Sequence, residues 1–154
     1  MARIDNKLRM EPALINAIME AEPRLRIATL GPAADINLTP MTFGWAGGHV
    51  YLFGRGQKVA NLRRTPTATV LVDTGDAWTE LRGIMMRGEA RVLEDLQAEK
   101  ADPYLQEACE NIGVKHGLVR DGKPAAYKAT ASGKSRRWIV FTPRRTVSWD
   151  NQNL

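Results

Sequence analysis

Residues 41–64 read "MTFGWAGGHVYLFGRGQKVANLRR". An apolar strand ends near Trp45, the pair Gly47–Gly48 marks a hairpin turn, and "HVYLFG" (49–54) supplies the returning strand. A short helix is predicted over 58–64, where Val59 and Leu62 share a face at a spacing of three; Thr65 and Pro66 stop it. This order of strand, turn, strand and helix start brings Arg55, Lys58, Arg63 and Arg64 to the end of a sheet. Arginine presents a planar fork, lysine a compact mobile charge, and a helix start adds free N–H donors, so the place suits a phosphate. The glycines flanking Arg55 let backbone approach an anion closely.

Working outward, residues 11–20 carry Ala13, Leu14, Ala17 and Ile18 at helical spacing, with Pro12 in the first turn and Pro23 beyond the end. "RLRIATLG" (24–31) alternates as a half-buried strand, with Leu25, Ile27 and Thr29 on one face. Gly31, Pro32 and Asp35 turn the chain into a second strand over 36–45, where Pro40 implies an edge or a bulge. "TATVLVD" (67–73) is β-branched and strand-forming. Gly75 and Asp76 turn it into "WTELRGIMMRGEARVLED" (78–95), a long strand or a pair of strands bulged near Gly83 and Gly88. Of Met85 and Met86, one must face inward. Asp102 and Pro103 open a predicted helix running to Ile112 and ended by Gly113, with Leu105, Ala108, Cys109 and Ile112 on its apolar face. Residues 114–135 read as a loop or mobile cover. "RRWIVFTPRRTVSWD" (136–150) closes the chain as two short strands, or a strand and an arm, split by Pro143.

The expected architecture is mainly β: about six antiparallel strands in a closed or nearly closed barrel, flanked by small helices. Strand–helix alternation of the doubly wound kind is missing. The 154 residues, 44% of them hydrophobic, suit one domain with a real core. No apolar run is long enough to span a bilayer, and the first twenty residues lack a secretory pattern, so a cytoplasmic protein is expected. A single cysteine, Cys109, excludes an internal disulfide framework, and it reads as a small buried hydrophobe. With only His49 and His116 beside it, no metal site is expected. The net charge of +5 comes with no finger, homeodomain or aromatic platform, and no nucleic-acid or membrane partner is expected.

In this order, "RIATLG", "LTPMTFGW", "VYLFGRGQKVANLRRTPTATVLVD", "LRGIMMRGEARVLED" and "WIVFTPRRTVSWD" resemble the flavin-binding split-barrel family that includes the pyridoxamine phosphate oxidases. The resemblance covers about residues 20–150 and is nearest to small actinobacterial-type members using flavin mononucleotide (FMN) or the deazaflavin coenzyme F-420. It implies a six-stranded split β-barrel over 21–150, preceded by a helix and lead-in over 1–20. It also implies a homodimer with a cofactor groove at each side of its interface. The matching positions place Pro40, Met41 and Thr42 near the ring, and Phe53, Gly54, Arg55, Gln57, Lys58 and Asn61 near the ribityl or phosphate. Many relatives carry a hydroxyl where this chain has Gly54 or Gly56, which shifts the phosphate's binding onto basic side chains and backbone.

Of the tryptophans, Trp138 beside Arg136 and Arg137 is the first choice for a cofactor or dimer contact, and Trp149 is expected to pin the C-terminus. Lys134, Arg136 and Arg137 are candidates to cover an acidic cofactor tail, and Tyr127 to touch substrate. Asp73, Asp76, Glu80, Glu89 and His49 form no recognised catalytic arrangement, so no catalytic side chain is assigned. That suits chemistry carried by a cofactor. The expected function is hydride transfer from deazaflavin to a small unsaturated or planar substrate. The alternatives are an FMN-dependent oxidoreductase or a non-catalytic flavin or deazaflavin binder. The ending "SWDNQNL" carries no arginine-bearing motif for pyridoxamine phosphate itself.

Overall fold

A computed structural model describes residues 6–154; residues 1–5 of the expected lead-in lie outside the described residues. The elements run α1 (Pro12–Ala21), β1 (Arg24–Leu30), β2 (Ile36–Thr42), β3 (Gly44–Ala46), β4 (His49–Gly54), α2 (Gln57–Arg64), β5 (Thr67–Thr74) and β6 (Arg82–Leu93). Then come α3 (Leu96–Ala101), α4 (Leu105–Lys115), the small hairpin β7 (Val119–Arg120) and β8 (Lys123–Pro124), and β9 (Arg137–Asp150). Seven strands form one antiparallel sheet in the order β2-β1-β5-β6-β9-β4-β3. Its two edges, β2 and β3, are separated in the chain by Phe43 alone, so the sheet must curl until its ends meet. No ladder joins β2 to β4 among the described residues, which leaves the barrel split.

The inside of the curl is apolar because the strands alternate. Leu25 and Ile27 of β1, Val70 and Val72 of β5, Ile84 and Met86 of β6, Val50 and Leu52 of β4, and Ile139 and Phe141 of β9 form one core, closed by Val59 and Leu62 of α2 and Met19 of α1. A second cluster lies on the opposite face of β4 and β9. There Tyr51, Trp138 and Val140 pack on Leu105, Ala108, Cys109 and Ile112 of α4. β4 and the first part of β9, through Phe141, are therefore buried on both faces, whereas β2 shows its outer residues to solvent. Cys109 sits in the second cluster as expected, and burial pushes its thiol up to about 11.

Four sequence expectations change. The strand over 36–45 breaks at the fully buried Phe43 into β2 and β3, which turns six ribbons into seven strands. Gly113 does not end its helix: α4 continues to Lys115, and a Cβ on Gly113 would lie 2.0 Å from the Ala125 carbonyl oxygen. The glycine is there for close packing. Residues 96–101 form a helix of their own, capped when Asp95 accepts from the Ala98 N–H at 2.8 Å. Asp102 follows it, its carboxylate taking the Tyr51 hydroxyl at 2.7 Å, Arg91 at 2.7 Å and the Tyr104 N–H at 3.0 Å. Finally, β9 is continuous through Pro143. The register slips between Arg87, facing Arg145, and Gly88, facing Pro143, so Arg144 is the extra residue of a bulge. Gly88 holds that bulge, and Gly83 instead makes room for the Trp149 ring.

Candidate cofactor-binding groove

The groove lies on the outer face of β4, between that strand and the segment that follows α4. Phe53 and Tyr127 line both of its chambers. One chamber, of about 260 Å³, is walled by Thr42, Phe53, Ile112, His116, Leu118 and Tyr127. The other, of about 300 Å³, is walled by Phe53, Gly54, Arg55, Tyr127 and Arg136. The first is mainly apolar with polar tips; the second is basic.

The basic end follows from local structure. Gly56, at φ +79°, turns the chain from β4 into α2, leaving Arg55 exposed and setting Lys58 in the first turn of the helix. Lys58 donates to the Arg55 carbonyl at 3.1 Å. Its ammonium is held below the ordinary lysine range, first by burial and then by the neighbouring Arg55 charge. No carboxylate pairs with Arg55 or Arg136 among the described residues. Arg55 and Arg136 thus line one end of a groove without an acid, with Lys58 beside Arg55 against Gly54, an arrangement that an anion would relieve.

The other two arginines of the opening stretch are spent elsewhere. Arg63 grips Glu94 with two hydrogen bonds from its Nε, at 2.9 and 3.2 Å, and one from Nη2; this hydrogen bonding raises its own pKa and holds the Glu94 carboxyl low. Arg64 donates to the Leu30 carbonyl at 2.8 Å and to Asn61 at 3.1 Å. Asn61 is fully buried: it donates to Thr29 at 3.0 Å and accepts from Gln57 at 2.7 Å. Gln57 and Asn61 therefore brace α2 on β1.

Of the remaining candidates, Thr42, Phe53, Gly54 and Arg55 line the groove. Met41 lies beneath it, its Cε 3.3 Å from where a Gly54 Cβ would stand. Pro40 is exposed on the outer face of edge strand β2 and lines neither chamber. Trp138 is fully buried behind the groove, 5.3 Å from Phe53 and 6.1 Å from Tyr127 between ring centres. It supports the two shared aromatic walls. Of the basic run after the cover, Arg136 reaches the groove, while Arg137 turns back to the carbonyls of Ser132, Gly133 and Arg136. Ile112, His116 and Leu118 were not anticipated in the groove. Ile112 and His116 are one helical turn apart, a spacing present in the sequence but hidden by ending the helix at Gly113.

The segment expected as a mobile cover is anchored. The Tyr127 N–H donates to the Cys109 carbonyl at 2.9 Å and the Ala125 N–H to Leu118 at 2.9 Å. Trp138 Nε1 donates to Ala129 at 2.9 Å. Buried Glu99 accepts from the Thr130 hydroxyl at 2.9 Å and the Ala131 N–H at 3.0 Å.

The curled, split antiparallel sheet with a groove on β4 defines a split-barrel protein. The chain matches the family model of pyridoxamine 5'-phosphate oxidase over residues 12–150, and it belongs to that family. Its fold is similar to that of the conserved hypothetical protein Rv2991 from Mycobacterium tuberculosis, at 24% identity, covering 99% of this chain and 92% of that one, with a TM-score of 0.72. It is also similar to HutZ, the heme storage protein from Vibrio cholerae, at 13% identity, 92% and 96% coverage and a TM-score of 0.64. An F-420 reductase is similar at 20% identity, 86% and 94% coverage and a TM-score of 0.57. No curated protein matches the chain in sequence. Among the described residues no helix is long and apolar enough to cross a membrane, and no group of three or more His, Cys, Asp or Glu could hold a metal ion.

Proposed function

We propose that the chain binds a phosphate-bearing flavin, FMN in the first instance, along this groove and serves as an oxidoreductase. The observation that carries the reading is that Arg55 and Arg136, neither paired with an acid, line one end of a groove with aromatic walls, with Lys58 beside Arg55. The phosphate sits between the two guanidinium groups and the start of α2, whose first N–H groups have no partner within the helix. Gly54 admits the ribityl chain, and the ring enters the apolar chamber past Phe53 and Tyr127, with Thr42 at its edge. The bound isoalloxazine supplies the two-electron chemistry; the chain contributes binding, orientation and exclusion of water.

A deazaflavin is the second reading, favoured by the likeness to an F-420 reductase; its tail is also anionic, and hydride would pass to a small unsaturated or planar substrate. We also propose a homodimer. The outer face of the sheet edge shows Ile36 at 72% exposure, Leu38 at 64% and Leu30 at 39%; Ala28 faces Leu38 in the register, and half-buried Leu71 and Met85 lie on the same face beyond Arg26 and Thr69. That apolar surface would be covered by a second copy.

The test compares FMN with riboflavin, which differ by the phosphate. Replacing Arg55 and Arg136 together by alanine should weaken FMN by at least about tenfold, the scale of one charged hydrogen bond, and leave riboflavin unchanged. Equal losses for both ligands would sink the phosphate assignment. Coenzyme F-420 titrated in parallel decides between the two ring systems.

A further inference from the structure

We propose that His116 is the residue that hydrogen-bonds the polar edge of the flat ring in the apolar chamber, and so selects what that chamber takes. The proposal deepens the reading above and rests on it, since it takes one ligand to span both chambers. Any flat heterocycle entering past Phe53 and Tyr127 meets Ile112 and Leu118, which offer no hydrogen bonds. Besides the shared Tyr127, only Thr42 and His116 bring polar side chains to that chamber. A ring carrying carbonyl oxygens would lose solvation there unless one of them answered it.

His116 is placed to do so. It caps the C-terminal end of α4, its own N–H bonded to the Ile112 carbonyl at 3.1 Å. The backbone need is therefore met, and the imidazole, exposed at the rim of the chamber, makes no hydrogen bond within the chain among the described residues. The other histidine contrasts with it. His49 is held by Thr142 at 3.2 Å and stacks on Tyr104, away from the groove. The wall around His116 is fixed: Leu118 bonds back to the Gly113 carbonyl at 2.9 Å, and Tyr127 to Cys109 at 2.9 Å. Ile112 and His116 at the end of α4, with Leu118 and Tyr127 tied back to that helix, thus form one wall whose backbone is held in place, the kind of preformed support that lets one hydrogen bond discriminate between ligands. The chemistry it would recognise is a planar, largely apolar ring with a hydrogen-bond acceptor on the edge away from its anionic tail.

The test separates ring from phosphate in the full chain, using lumiflavin (the ring without ribityl or phosphate), inorganic phosphate and FMN, each titrated by calorimetry. H116F should weaken lumiflavin and FMN by about tenfold each, one hydrogen bond's worth, and leave phosphate unchanged. H116Q, which keeps a donor and an acceptor, should recover part of the loss. R136A should do the reverse, weakening phosphate and FMN but not lumiflavin. In NMR spectra the His116 ring resonances should move on adding lumiflavin, while those of His49 stay in place. Lumiflavin binding H116F as tightly as the unaltered protein would overturn the proposal, and so would failure of lumiflavin to bind the unaltered protein. Failure of R136A to affect FMN would instead count against the phosphate end and leave the His116 result standing.

Discussion

The two walls of the groove are built in different ways. The β4 wall, from Thr42 to Lys58, is nearly continuous chain: a hairpin and a helix start set its residues through local turns. The opposite wall draws on Ile112, His116, Leu118, Tyr127 and Arg136, scattered over a helix, a loop and a turn. Beyond the helical turn that joins Ile112 to His116 and the Leu118 bond back to Gly113, nothing local places these residues together. They are assembled by tertiary ties, chief among them the seat of residue 125 on Gly113, the Trp138 bond to Ala129 and the Glu99 bonds to 130–131. A locally coded wall should tolerate loss of a single tie, whereas an assembled one should not.

The sharpest break in that comparison is Gly113→Ala. The added methyl would stand 2.0 Å from the Ala125 carbonyl oxygen, a backbone atom with no rotamer to escape into. A loss of about 3 kcal/mol in urea denaturation is expected, with faster amide exchange at Tyr127 as the segment lifts from α4. A cost below about 0.5 kcal/mol would show that the segment is not seated there. Trp138→Phe comes next. It removes the bond to the Ala129 carbonyl and part of a fully buried ring, and should cost about 2 kcal/mol. Because Trp138 supports Phe53 and Tyr127 without lining the groove, ligand affinity should fall in this variant through misplaced walls while the Arg55 end still binds phosphate.

The same contrast explains what could be read from the sequence. Alternation in β1 and β5, the Gly47–Gly48 turn and the basic helix start are properties of neighbouring residues, so the barrel strands and the place of Arg55 at one end of the groove were legible. Asn61 carried the right chemistry for a ligand, but its amide is spent on Thr29, Gln57 and Arg64, partners that no local pattern announces. Gly113 misled for a related reason. A glycine near a helix end signals a stop, while the demand it meets here comes from the distant Ala125. Treating it as a stop detached His116 from Ile112 and hid half of the apolar chamber. Trp138 beside two arginines suggested a cofactor or dimer contact; alternation along β9 turns its ring into the second core, next to Phe53.

The remaining break concerns a tie between the two walls. Lys115 of α4 donates to the Phe43 carbonyl at 3.1 Å and rests 3.4 Å from the centre of the Phe43 ring, at the break between β2 and β3 that sets Thr42. Burial pushes its amine down to about 7, against opposing pulls from Glu22 and Glu20. The folded pKa lies below the unfolded value of 10.5, so between pH 7 and 10.5 the unfolded chain binds a proton that the folded chain does not. Stability from this group therefore rises with pH across that window, by less than about 1.4 kcal/mol per pH unit, the limit for one proton. Lys115→Met keeps the length of the side chain and removes the titration. Comparing both proteins in urea at pH 6.5 and 9 cancels the groups they share, so the unaltered protein should gain on the variant at the higher pH. A constant gap at both pH values would mean that Lys115 keeps its proton while pinned to Phe43, and that the tie between the walls is a charged one throughout.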